Sequence, residues 1–541
     1  MGMTDVAAAA IATNRFGLGA RPGELARVAP DPRGWLAAQL HGGAPSLPAG
    51  SALESSASIL VQAAKLREDR RETQRGAAAP GAVPRVIQGP GAWYRPIYLS
   101  EVQARFSAAV VSERPFIERL VHFWSNHFAV SIDKAVVLGV AGAYEREAIR
   151  PQVLGRFENL LLAVERHPAM LLYLDNAQSA GPASPLARRA SASGRRDPGL
   201  NENLAREILE LHTLGVSAGY TQADVTGFAR MLTGWSVREG EFRFRPGLHE
   251  PGAQRLLGKS YAQPGYEQGA AALRDLARHP ATAGHLARKL ACHFIADDPP
   301  PAAVARISTA FREHGGALLP VYRALIESPE AWATPLAKYK TPADYVHSAF
   351  RGFELPHDGP RAGLAAYELL GQRAWSPGSP AGWPDRASDW DGGSALLQRI
   401  EWADEVGTRL GDRRDAQRLA HSILGGVLSD QASNALARAA SGAQAITLLL
   451  TAPPMIYDTL DRRRVLATAT AAALPLVGRL AVARAAAPPD ARFAFVLLRG
   501  ALDGLAAVPP WGDPDYRRLR GEIAIAPPGE PGGALPLDAT F

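Results

Sequence analysis

The sequence predicts a mainly α protein: a large helical bundle with long loops and one small β-hairpin, plus a C-terminal fragment with an isolated strand. Three observations predict it. Apolar residues recur at helical spacing through most of the chain up to about Thr451, as at Ile117, Leu120, Val121 and Trp124. Strand-type alternation in that part is confined to residues 237–262, around Glu241-Phe-Arg-Phe-Arg245. At Ala452-Pro-Pro-Met455 the helical pattern gives way to a different composition.

In chain order, residues 1–66 carry helical patterns, with Trp35, Leu36 and Leu40 at helix spacing. Residues 67–93 turn charged and then Gly/Pro-rich and read as a surface loop. From Tyr94 to Asp175 the pattern is helical again. Residues 176–199, rich in Ser, Gly, Pro and Arg, read as a long loop. A helix is expected from about Glu202 to Leu214, with Asn201 as N-cap and Gly215 as stop, and another over about 221–234. After the hairpin, helices are expected at 267–278, 280–296, 302–313 and 318–328. Residues 355–394 read as a second long, Trp/Pro/Gly-rich loop before the last helices.

Beyond Met455 come Asp461-Arg-Arg-Arg-Val-Leu466, an Ala/Thr/Leu-rich run over 467–483, and Ala483-Arg-Ala485 followed by Ala486-Ala-Pro. A twin arginine, a weakly apolar run and a small-residue cleavage-like site are, in order, the three parts of a twin-arginine (Tat) export signal. The alternative reading is an Ala-rich amphipathic helix with a basic start. The expected organisation is therefore a helical domain over 1–454, a signal-like segment over 455–487 and a third piece over 488–541.

Composition narrows the chemistry. Abundant Ala, Arg, Gly and Pro with few Lys point to a GC-rich bacterial gene. The hydrophobic share of 47% supports a sizeable core. A net charge of +6 over 541 residues, with no long basic run interleaved with aromatics, does not describe a nucleic-acid groove. Cys292 is the single cysteine, so an intramolecular disulfide and cysteine-based zinc or iron–sulfur sites are excluded. The first twelve residues lack the basic start and apolar run of a secretory signal, and no stretch is long and apolar enough to span a membrane.

Several ordered stretches resemble the bacterial family called domain of unknown function 1800. They are Arg15-Phe-Gly-Leu-Gly-Ala20, Phe123-Trp-Ser-Asn-His-Phe128, Gly199-Leu-Asn-Glu-Asn-Leu-Ala-Arg-Glu207 and Glu210-Leu-His-Thr-Leu-Gly215. Tyr220-Thr-Gln222, Leu232-Thr-Gly-Trp235, His279-Pro-Ala-Thr-Ala283 and Pro380-Ala-Gly-Trp-Pro-Asp385 complete the set, which covers nearly all of 14–452. Many relatives carry a further His before the Asn-His pair, where this chain has Ser125. In the tail, Phe493-Ala-Phe-Val-Leu-Leu-Arg-Gly-Ala-Leu-Asp-Gly-Leu505 and Pro510-Trp-Gly-Asp-Pro-Asp-Tyr516 resemble the start of a domain-of-unknown-function 1501 protein. That family is similar to alkaline-phosphatase and sulfatase-like enzymes, often carries Tat signals, and is commonly encoded beside the first. The resemblance implies two adjacent reading frames joined near Met455 with the second cut short, or a true fusion. Asp503 alone makes no metal site, so the tail is credited with no phosphatase or sulfatase activity.

Two polar constellations stand out. On an ideal helix over 202–214, Leu204, Ile208 and Leu211 form an apolar stripe, while Asn203, Arg206, Glu207 and Glu210 share a polar face. Glu207 and Glu210 lie one turn apart and can converge on a cation or share a proton. His212 projects about 140° away from Glu207 on such a helix. The alternative is a self-satisfied ladder in which Arg206 pairs with Glu202 and Glu210 at i,i+4 spacing. In the second constellation Glu118, His122 and Asn126 share a helical face, with Glu118 placed to orient His122. His127 points elsewhere but falls in the family-like motif, so it is the preferred ligand over His122; the alternative for it is a core histidine bonded to backbone.

A basic group on 279–293 (His279, His285, Arg288, Lys289, His293), with Lys338 and Lys340, suits an acidic ligand or a solvated surface. Trp235, Trp375, Trp383 and Trp390 lie in or beside the long loops, as cleft walls or as anchors. The first functional reading is an enzyme or ligand-binding domain with a His/Glu/Asn site between helices: a divalent metal on His127, Glu207 and Glu210, acid–base work by Glu207, Glu210 and His212, and substrate contacts from Arg206, Asn203, Trp235 and Trp383. The second is a non-catalytic accessory partner of an exported unknown-function 1501 type neighbour. Cytoplasm is the default location, with Tat co-export to the periplasm as the alternative.

Overall fold

Helices build this protein, as the apolar periodicity predicts, and they bury a core rich in aromatic rings. The structure is a computed structural model that describes residues 3–44, 47, 53–77, 90–194, 199–333, 338–357 and 362–456, with residues 517–518, 521, 524 and 526. The signal-like segment from Asp461 onward, the strand expected over 493–498 and Asp503 lie outside the described residues. The chain divides into two units, residues 1–478 and 479–541.

The helix Pro115–His127 is the central element. Pro115 starts it without wasting a backbone donor, and Phe116, Leu120, Phe123 and Trp124 are buried along it. Phe16 and Phe294 pack on Phe116, and Trp124 stacks on Phe128 and contacts Phe157. Trp124 Nε1 donates to the Tyr322 hydroxyl at 2.6 Å, and that hydroxyl donates to the Val153 carbonyl at 2.7 Å, so the polar ends of both rings are satisfied inside the core. Glu118, expected to orient His122, instead takes a two-pronged ion pair from Arg150 at 2.8 and 2.9 Å, with both side chains buried.

Most helix boundaries agree with the expectations. Pro280–Phe294, Pro301–Glu313 and Leu318–Glu327 fall close to the predicted spans. Gln222–Leu232 starts from a capping box of Thr221 and Asp224. Three stretches read as loops contain helix. Ser56–Ala77 continues through charged residues because its outer face is solvated. Pro185–Ala192 starts from a Ser184 cap with Pro185 in the first turn. Ala362–Leu369 is made of strong helix formers inside an otherwise Gly/Pro-rich stretch.

The region expected to hold one hairpin holds two. Strand β1 (Trp235–Arg238) pairs antiparallel with β2 (Glu241–Phe244), and β3 (Gln254–Leu256) with β4 (Lys259–Tyr261). Each turn is a two-residue X-Gly pair with positive φ at both positions: Glu239 and Gly240 at 53° and 77°, Leu257 and Gly258 at 48° and 76°. That geometry matches the twist of paired strands. The three-residue strands of the second hairpin are too short to show alternation.

Candidate functional site

One face of the Pro115–His127 helix opens on a cavity of about 70 Å³ with titratable side chains in its wall. Helix Pro115–His127 contributes His122 and Asn126, helix Pro280–Phe294 contributes His293, and helix Pro342–Gly352 contributes Asp344. The segment 372–385 covers it with Trp375, Trp383 and Asp385. Asn126 fixes this cover: its Nδ2 donates to the Trp383 carbonyl at 2.8 Å and its Oδ1 accepts the Trp383 N–H at 2.7 Å. The preceding residue is glycine by necessity. Gly382 has φ +84°, and a Cβ there would lie 2.3 Å from the Asn126 carbonyl oxygen.

Charge in the cavity is organised as a chain. His293 Nδ1 meets Asp385 Oδ1 at 2.7 Å, Arg119 Nε donates to His293 Nε2 at 3.3 Å, and Arg119 Nη2 reaches Asp344 Oδ2 at 3.1 Å. The Arg119 donor fixes the His293 proton on Nδ1, where it is shared with Asp385. Arg119 also donates to the carbonyls of Asn14 and Gly17, tying the Arg15–Ala20 stretch to the site. Burial alone would raise the Asp385 carboxyl; His293, with help from Lys338 and Lys289, holds it at about 2 instead. For Asp344, burial is likewise outweighed, chiefly by Arg119, and its carboxyl sits below the usual range.

Beside this chain lies a pair of neutral imidazoles. Burial, reinforced by Arg105 and His347, pushes His122 well below the ordinary histidine range. His347, also buried, is pushed down to about 3, with Asp344 opposing the shift. Their rings sit 5.2 Å apart, centroid to centroid. His347 Nε2 bonds the Tyr367 hydroxyl, while His122 Nε2 and His347 Nδ1 have no hydrogen-bond partner among the described residues.

Of the residues expected to act, Trp383 lines this cavity; Asn203, Arg206, Glu207, Glu210, His212, Trp235 and His127 do not. His127 is buried in a second polar cluster. Its Nε2 donates to the His212 carbonyl at 3.1 Å, and His212 Nδ1 bonds Glu165 Oε1 at 2.8 Å with both side chains fully buried. Burial and the charge of Lys289 keep His127 well below its ordinary range. The helix Asn203–Glu207 continues as a π turn over Ile208–His212, which brings residues five apart nearly into line. Glu207 therefore feels His212. Burial raises the Glu207 carboxyl and Glu210 adds to the rise, while His212 opposes it.

The Arg206 ladder is present as well: Arg206 meets Glu202 at 3.3 Å and Glu210 at 3.8 Å. Asn203 is exposed, and Trp235 is fully buried against Tyr266 at 5.1 Å. Among the described residues, no three His, Cys, Asp or Glu side chains are grouped to hold a metal ion, so His127, Glu207 and Glu210 do not form a common ligand set.

Sequence reasoning missed Arg119, Asp344, His347, Tyr367 and Glu165. Asp344 carried a signal, since Thr341-Pro-Ala-Asp344 marks a capped helix start with an acid in its first turn. Asp385 closes the last family-like stretch and His122 sits one residue before the second, so both were within view. Over residues 11–457 the chain matches the family described as Protein of unknown function (DUF1800). No curated protein and no solved structure matches the chain. The family-like stretches around residues 123–128 and 380–385 line one cavity, and with a match over most of its length the chain belongs to the DUF1800 family.

Proposed function

We propose that the protein binds a small polar molecule, neutral or of balanced charge, in the cavity beneath the 372–385 segment, and that His122 exchanges a proton with it. One observation carries this reading: the acids of the cavity are already paired, whereas His122, a half-buried wall residue held neutral, makes no side-chain hydrogen bond to any described residue. Buried polar atoms are ordinarily hydrogen-bonded, and one that is not marks a place where a further group belongs. A neutral imidazole both donates and accepts, which suits acid–base work. At roughly 10–15 Å³ per water, a cavity of about 70 Å³ has room for about five waters, which sets the ligand at a few non-hydrogen atoms.

The accessory-partner reading expects a large exposed apolar patch. Among the described residues the exposed large apolar side chains are spread along the chain, with Val61 and Leu66 on helix Ser56–Ala77, Val111 and Leu397 on two other helices and Val216 in a loop, which favours the ligand-binding reading.

The test is thermal unfolding of the purified chain and of His122→Asn with small amides, amino acids, hydroxy acids and diols. At least one class is expected to raise the Tm of the wild type and to leave the variant unchanged. A panel in which nothing distinguishes the two proteins removes the reading.

A further inference from the structure

We infer that the protein has a second ligand site, separate from the His122 cavity, that takes an amphipathic anion with the chemistry of a medium-length acyl carboxylate. The site is a cavity of about 470 Å³ between helix Ser56–Ala77, helix Pro185–Ala192 and the β1–β2 hairpin. It shares no lining residue with the His122 cavity. Its volume lies within the range that holds small organic ligands.

The walls and the charges are of different kinds. Leu60, Leu172, Leu186 and Val237 give it an apolar interior. Arg67 and Arg245 line the same space. Arg245 makes no side-chain hydrogen bond or ion pair with any described residue. Arg67 donates to the Tyr94 hydroxyl at 3.2 Å and has no carboxylate partner among the described residues. Glu239, the acid at the rim, pairs with neither, so the lining carries one net positive charge. An apolar chamber with two guanidinium groups lacking carboxylates suits a ligand whose apolar body fills the chamber and whose carboxylate meets the arginines.

The walls are also held in place. A Cβ on Gly240 would lie 2.4 Å from the Ala57 carbonyl oxygen, so the hairpin tip is seated directly on the helix. Ser236 Oγ donates to the Ala177 carbonyl at 2.6 Å and anchors the base of the hairpin. The chamber is thus formed before any ligand arrives, which keeps the ordering cost of binding low.

The experiment is displacement of anilinonaphthalene sulfonate from the full chain by decanoate, with decanol and acetate as controls. Decanoate is expected to compete saturably, and decanol and acetate at least about tenfold more weakly, the size of one lost charge-assisted bond. The double variant Arg67→Ala/Arg245→Ala should weaken decanoate by at least about tenfold and leave decanol unchanged. Ala64→Trp, at an exposed lining position, should block both, and His122→Asn should change neither. Absence of saturable competition, decanoate binding indifferent to the arginines, or decanol binding as tightly as decanoate would each overturn the site.

Discussion

At the scale of single residues, buried histidines govern how this protein should respond to acid. Burial, strengthened by Lys289, pushes His285 down to about 4, and burial pushes His347 down to about 3, both from an ordinary value of 6.5. The folded protein therefore holds these rings neutral while the unfolded chain takes up their protons as the pH falls below about 6.5. Stability is present above that value and is lost as the pH falls toward 4 and then 3. Each ring contributes a slope of about 1.4 kcal/mol per pH unit. Asp385 adds a second phase: its folded value of about 2 lies below the ordinary 3.8, so its contribution is present above 3.8 and is lost as the pH falls through about 2. Urea unfolding across this range should show a steep loss between about pH 6.5 and 4, and His347→Gln should flatten the curve by one ring's share. A stability constant from pH 7 to 5 would show that these imidazoles are not held neutral.

At the scale of elements, the departures from regular helix matter most. π turns occupy Ala12–Phe16, Glu145–Ile149 and Ile208–His212. Such a turn frees backbone groups from the α pattern, and a side chain at its end can satisfy them. Thr213, fully buried after the last of the three, donates its hydroxyl to the Ile208 carbonyl at 2.6 Å. Thr213→Val keeps the shape and removes the donor, so it should cost about 1–3 kcal/mol in chemical denaturation. Thr213→Ser should recover most of that loss, and equal behaviour of the two variants would mean that the bond is idle. The same turn explains why the acidic helix was legible only in part. Its apolar stripe and its Arg206 ladder follow from a 3.6-residue period, but that period sets His212 on the wrong side of Glu207. Periodicity carries no sign of a single π turn. Composition misled in the same local way at Ala362–Leu369, where good helix formers are flanked by Gly, Pro and Trp.

At the scale of the whole molecule, the cavity is a product of topology. Arg119, His293, Asp344 and Asp385 come from three helices and a covering segment far apart in sequence, and local patterns do not tell which helices meet. The family-like stretches marked several of the right places, as at Asn126 and Trp383, without revealing that these two bond each other. The end of the folded unit is a similar question of packing. A boundary at 454 follows from the change in composition, yet Met455 and Ile456 are buried in the core at 2% and 1% exposure. The Ile456 carbonyl accepts the Lys340 N–H at 2.9 Å, just ahead of the helix that carries Asp344 and His347. Lys340 in turn reaches Asn14 Oδ1 at 3.0 Å, and its carbonyl accepts from Arg399 at 2.8 Å, so residue 456 bears on a junction that frames the cavity. If these residues belong to the core, Met455→Ala and Ile456→Ala in the full chain should each cost about 2–5 kcal/mol, as truncations of buried side chains do. The denaturant dependence should stay near that of the wild type, because the same surface is exposed on unfolding. Changes within about 0.5 kcal/mol for both variants, the range of ordinary surface substitutions, would place the end of the folded unit before Met455.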